Sequence, residues 1–100
     1  MKRDNYNSAD VIFLSGDINY TEIYLINGVK RVSSSTLLRH EEKLDSFIRV
    51  SKKHLVNPEY VRGYEVHGKH MEITLQNGDH MKVSRRRVKA VLSSIVAVCA

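Results

Sequence analysis

Apolar positions along the chain first recur at a spacing of two. Val11 to Leu14 are all apolar and, with Ser15, predict a buried strand over 11–15. Over 20–26 the side chains alternate, with Thr21, Ile23 and Leu25 to one side and Tyr20, Glu22 and Tyr24 to the other. Asn27-Gly28 follows, a strong hairpin signal because both residues tolerate the positive φ of a type I′ turn. Residues 29–33 then make the return strand. The alternation breaks over 36–45, where Leu37, Leu38 and Leu44 share a helical face and Ser35 or Thr36 supplies the N-cap. Strand character returns at 47–50, a polar gap occupies 51–54, and an extended apolar stretch runs into a turn at Asn57-Pro58. Segments 60–66, 69–76 and 79–83 read as a meander, with turns near 67–69 and at Asn77-Gly78. Val88, Val91, Leu92, Ile95, Val96 and Cys99 follow helical spacing and predict a closing amphipathic helix with Ser84 at its N-cap. The polar, aperiodic residues 1–9 are expected to form a disordered extension, and 10–100 a single domain.

Composition narrows the classes. With 100 residues, 42% of them hydrophobic, the chain can build one small core but not two lobes around a buried cleft. A single cysteine excludes a disulfide scaffold and a four-cysteine zinc site, and points to the cytoplasm. No apolar run reaches the roughly 18 residues that span a bilayer, so no membrane partner is expected. The polar start is unlike a secretory signal.

Charge is distributed unevenly. Residues 1–50 hold 7 Lys+Arg and 7 Asp+Glu, whereas 51–100 hold 9 and 4, so the whole +5 lies in the second half. Lys52, Lys53 and the stretch Lys82, Arg85, Arg86, Arg87, Lys89 account for seven of those nine cations. Two tight basic clusters indicate a polyanionic partner, set against the plainer reading of a solvated basic face. Arg85, Arg86 and Arg87 would occupy the first turn of the last helix. That end carries partial positive charge, so each arginine there costs about 0.3–1 kcal/mol before screening, and a bound phosphate would relieve the cost. Lys52 and Lys53 would crest a loop. Tyr24 and Tyr64 read as half-buried sheet packing, while the exposure of Tyr20 is left open.

Catalytic constellations are weak. Five histidines invite a metal reading, but His67 and His70 lie around a turn and no cysteine or paired acid completes a set. His54 heads an apolar strand and reads as packed. Glu41 and Glu42 are adjacent on a helix and do not face one another. No P-loop or G-x-S-x-G pattern occurs, so no enzyme, cofactor, metal or small-molecule substrate is expected. Cys99 reads as core.

Several motifs nevertheless fall in a specific order: Asn19-Tyr20-Thr21, Phe47-Ile48-Arg49 leading into His54-Leu55-Val56-Asn57, and Leu75 through Ser84-Arg85-Arg86. Over roughly 10–96 the chain resembles the LytTR family of bacterial DNA-binding domains. The resemblance implies a mainly β fold of small antiparallel sheets stacked in an elongated domain, with one short internal helix and one C-terminal helix. It implies a sequence-specific double-stranded DNA-binding transcriptional regulator that inserts loops into successive major grooves at paired promoter repeats. Such domains are usually the output end of a response regulator; these 100 residues hold no receiver domain, so a standalone domain is expected. The implied contacts come from three regions: Asp17, Asn19, Tyr20 and Thr21; Ser51, Lys52 and Lys53; and Ser84, Arg85, Arg86 and Arg87. Arg86 is the best candidate for a base edge, and the lysines for phosphates. The apolar face near Ile95–Cys99 either closes the core or makes a small homodimer contact on DNA. Two rival readings remain: a small β RNA-binding module, disfavoured by the lack of Trp and only 2 Phe, and a basic protein-interaction adaptor.

Overall fold

The computed structural model describes residues 6–99, with side chains over 6–96. Eight strands form two antiparallel sheets. The first, in the order β3-β2-β1-β5-β4, contains β1 (Val11–Gly16), β2 (Thr21–Leu25), β3 (Lys30–Ser33), β4 (Ile48–Arg49) and β5 (His54–Val56). The second, β6-β7-β8, contains β6 (Val61–His67), β7 (His70–Leu75) and β8 (His80–Val83). Helix α1 (Leu37–Lys43) follows β3, and helix α2 (Val88–Cys99) ends the fold. The body is elongated, 45 × 25 × 20 Å.

The continuous apolar run at 11–14 is explained by a bulge. Val11 pairs with Leu25 but Phe13 pairs with Tyr24, so Ile12 is an extra residue that resets the alternation. Val11 and Leu14 thus enter a core with Ile23, Leu37, Leu44, Phe47 and Leu55, beneath α1. Ile12 and Phe13 enter the other core, with Val50, Val56, Met71, Ile73, Leu75, Met81, Val83, Val91 and Ile95. This second cluster joins the two sheets and α2.

Both Asn-Gly hairpins form, by a different device from the expected type I′ turn. Gly28 (φ 84°) and Gly78 (φ 94°) adopt positive φ, but no non-glycine residue does among those described. The Gly28 amide donates to Leu25 O and the Leu25 amide to Val29 O; Gly78, Leu75 and Asp79 repeat the pattern. These are three-residue loops with a left-handed glycine closing each one. The Asn27 and Asn77 side chains accept from the Val29 and Asp79 amides instead of turning left-handed. The third hairpin has a two-residue loop, Gly68-Lys69, with only Gly68 at positive φ (63°).

Helix α1 is capped by Thr36, whose Oγ1 accepts from the Arg39 amide (3.4 Å). Its buried face is Leu37, His40 and Leu44, while Leu38 is 58% exposed, contrary to the expected leucine face. His40 is fully buried and satisfied: Nε2 meets Ser33 Oγ and Nδ1 meets the Tyr6 hydroxyl, each at 2.9 Å. The expected extension 1–9 includes residues 1–5, which lie outside those described, but 6–9 carry structure. Besides the Tyr6 contact, Asn7 caps a 3-10 turn at Ser8–Asp10 and Ala9 O accepts from the Tyr60 hydroxyl. On α2, Val91 and Ile95 are buried as expected, but Val96 is 47% exposed. The Cys99 side chain lies outside the described residues.

Candidate nucleic-acid interface

The first of the three regions is the connection from β1 to β2. It closes on itself through the Asp17 amide and Tyr20 O (2.8 Å), and Asp17 Oδ1 accepts from the Ile18 amide (2.7 Å). That amide bond is the main cause holding the Asp17 carboxyl below its ordinary pKa; the Tyr20 hydroxyl and the positive charge of Lys53 add to it. Hydrogen bonding to Asp17 correspondingly pushes the Tyr20 phenol up. Asp17, Ile18, Asn19 and Tyr20 are exposed. Thr21 is not: it is fully buried, and its hydroxyl donates to Ser35 O (2.8 Å). It braces the start of β2 and offers no group to the surface, which corrects its place among the surface contacts.

The second region, 51–53, is a tight loop between β4 and β5. Arg49 holds it from below. Its Nε donates to Ser51 O (2.8 Å), one terminal nitrogen to Lys52 O (2.7 Å), and the other to Glu41 on α1 (2.6 Å). With both carbonyls turned toward the guanidinium, the Lys52 and Lys53 side chains are left exposed. Ser51 serves the loop itself, since its hydroxyl receives the Lys53 amide (3.3 Å) and lies 3.3 Å from His54 Nδ1. His54 is half-buried, edge-on to Phe13. Burial, and then the charge of Lys53, push its pKa below 6.5.

The third region differs from its expected form. The arginines do not occupy the first turn of α2. They form a separate 3-10 turn, Arg85–Arg87, and the α-helix begins at Val88. Ser84 makes no side-chain cap; its hydroxyl accepts from the Arg87 guanidinium (3.2 Å). A fork at Arg87 competes for the hydroxyl that a cap would use. Arg85 and Arg86 are exposed, and neither side chain has an ion pair or hydrogen bond among the described residues.

Backbone bonds join the three regions in sequence. The Gly16 amide donates to Lys53 O (2.7 Å), joining the first region to the second. The Ser84 amide donates to Val50 O (2.9 Å), joining the second to the third. A groove of about 670 Å³ is lined by the 51–53 loop and by residues 79–84 of the second sheet, among them Lys52, Lys53 and Lys82 with one acid, Asp79. Its floor includes Phe13 and Tyr24, stacked with centroids 4.3 Å apart at 12°. The 17–20 turn does not line this groove and reaches it only through Lys53. Tyr64, expected to be half-buried, is 41% exposed on the second sheet, away from the groove.

Arg49 had been visible only as part of a motif; an arginine in a short apolar strand carries no sign that it will collect two carbonyls. Lys82 belongs to the basic stretch, and its place in the groove wall follows from the alternation of β8. Among the described residues no three His, Cys, Asp or Glu side chains group to hold a metal ion, and no helix is long and apolar enough to cross a membrane.

Nothing among curated proteins matches the chain. Its structure is similar to the LytTr DNA-binding domain of a putative methyl-accepting/DNA response regulator from Bacillus cereus, with a TM-score of 0.77 over 95% of this chain and 92% of that one, at 18% identity. At that identity the likeness shows the fold. The model of the LytTr DNA-binding domain family matches residues 5–95. The chain therefore belongs to the LytTR family of DNA-binding domains.

Proposed function

We propose that this domain is a sequence-specific transcriptional regulator that grips double-stranded DNA from one side, in the cytoplasm, with its loops in successive major grooves at paired promoter repeats. The observation that carries the reading is the pair of cationic segments, 52–53 and 85–86, linked through the Ser84–Val50 bond, with Arg85 and Arg86 exposed and unpaired among the described residues. Cations held on a rigid frame without internal partners suit a polyanion of fixed geometry. Arg86 takes a guanine edge through its fork, and Lys52 and Lys53 take phosphates. Ile95 is fully buried, so the part of α2 seen here closes the core, and pairing on DNA follows from the repeats.

The test is titration at fixed salt against an operator selected from a random duplex library. Arg86→Ala should cost about 1–3 kcal/mol on the operator and relax preference at one position. Lys52→Ala should weaken all duplexes alike. With about four to six phosphates engaged, log affinity should fall with log salt at a slope of about −4 to −5. A flat salt response, or an unchanged operator affinity for Arg86→Ala, sinks the assignment. Preference for single-stranded RNA in competition would transfer the site to the RNA-module reading.

A further inference from the structure

We propose that Lys69, on the turn between β6 and β7, joins Arg85 and Lys89 in a clamp for one phosphodiester group of duplex DNA, beside Arg86, whose fork is left for the base edge. A second cavity, of about 400 Å³, shares no residue with the groove and is lined by Gly68, Lys69, Arg85, Arg86, Val88 and Lys89. Four of these six residues are cations and none is an acid. They come from two separate places in the chain, a hairpin turn of the second sheet and the Arg85–Arg87 turn with the first turn of α2. All four are exposed, and none has an ion pair or side-chain hydrogen bond among the described residues. Carboxylates of the same sheet are turned to other groups: Glu65 lies 3.7 Å from His67, and Glu72 lies 3.7 Å from His80.

Four like charges around one cavity repel each other, and nothing in the wall neutralises them. A phosphodiester supplies what is missing. Its two free oxygens suit the fork of an arginine, and its single charge suits flanking ammonium groups that approach from either side. The clamp carries no sequence information; it fixes the position of the domain on the duplex. The inference rests on the DNA-binding reading above and adds two residues, Lys69 and Lys89, that the reading does not use. It extends the footprint from the 51–53 loop, past Arg86, to the tip of the second sheet.

The experiment uses Lys69→Gln in the whole domain, titrated against the selected operator and against random duplex over a salt series. Both affinities should fall by the same factor, about three- to tenfold, and the salt slope should flatten by about 0.9. Operators carrying one neutral methylphosphonate at a time should include a position where the native domain loses affinity and Lys69→Gln loses nothing more. Lys89→Gln should repeat the pattern, so the result does not depend on one variant folding. Unchanged affinity and slope in both variants, with Arg86→Ala still impaired on the operator, would overturn the clamp and leave the DNA reading standing. Inorganic phosphate shifting the Lys69 amide resonance, while Lys69→Gln binds duplex normally, would make this a free-anion site and also overturn it. Absence of any salt-dependent duplex binding by the native domain would remove the DNA reading itself, and the clamp with it.

Discussion

Asp17 is an acid beside the cationic 51–53 loop, and its position has two consequences. Its charge faces Lys53, and its carboxylate orients Tyr20. Asp17→Asn keeps the shape and removes the charge. Affinity for random duplex should rise about two- to fivefold, because an exposed like-charge penalty toward phosphates is lifted. The Tyr20 phenol, raised chiefly by its bond to Asp17, should titrate closer to 10 in the same variant, which an ultraviolet titration reads directly. His54 supplies a pH dependence. Its folded-state pKa lies below the unfolded value, so the unfolded chain binds the proton more readily. The contribution of His54 to stability is therefore complete above about pH 6.5 and is lost as pH falls through the lowered value. Thermal melts from pH 8 to 5 should show a fall that His54→Gln diminishes. His40 shows why single residues resist reading from sequence. A histidine among charged neighbours in RHEEK looks solvated, yet its helical phase puts it between Leu37 and Leu44, where bonds to Ser33 and Tyr6 make its burial tolerable.

Elements matter here through their junctions. Gly16 ends β1 against α1, where an added Cβ would lie 2.8 Å from Leu37 Cβ. Neither of those atoms is a flexible tip, so Gly16→Ala must displace the strand end or the helix, at a cost of about 1–3 kcal/mol in denaturant unfolding. Because the Gly16 amide also holds Lys53 O, amide exchange at the 17–20 turn should quicken in that variant. Arg49 is the corresponding device on the next loop. Arg49→Ala removes a three-way fork and should cost about 2–3 kcal/mol, with faster exchange at Lys53 and His54. Arg49→Lys should rescue little, since a single ammonium nitrogen cannot stand at once where the three guanidinium nitrogens meet their separate acceptors. Most of the strands and both helices were legible from local pattern, and Asn27-Gly28 and Asn77-Gly78 marked their hairpins because turn chemistry is local. The turn type was not legible, since the asparagine side chains substitute for the left-handed backbone. Nor was the 3-10 turn at Arg85–Arg87, where a guanidinium takes the hydroxyl that should have capped the helix.

The whole molecule is built around one long-range pairing, β1 with β5, which places Ser15 opposite His54 and so brings the 17–20 turn beside Lys53. Charge counting alone found two of the three regions, but only this pairing and the packing of Phe13, Val50 and Val56 on the second sheet set them side by side. Thr21 carries the same lesson in reverse: it sits in the right motif but its hydroxyl is spent inside the fold. At 45 Å the long axis exceeds one turn of B-DNA, about 34–36 Å, a length that suits the proposal that one protomer reaches from one groove to the next. Inserting one base pair within the stretch covered by a protomer should abolish specific binding, while inserting a full turn between two repeats should be far better tolerated; band shifts on the two spacing series check this. The bond from the Ser84 amide to Val50 O gives that frame a further property. On the reading proposed above, that bond couples the two jaws so that neither is reset without the other, and the domain acts on the duplex as a caliper of fixed gauge. A target that does not match the gauge has to yield instead, and curvature becomes the duplex's burden, borne most easily where its base steps are soft.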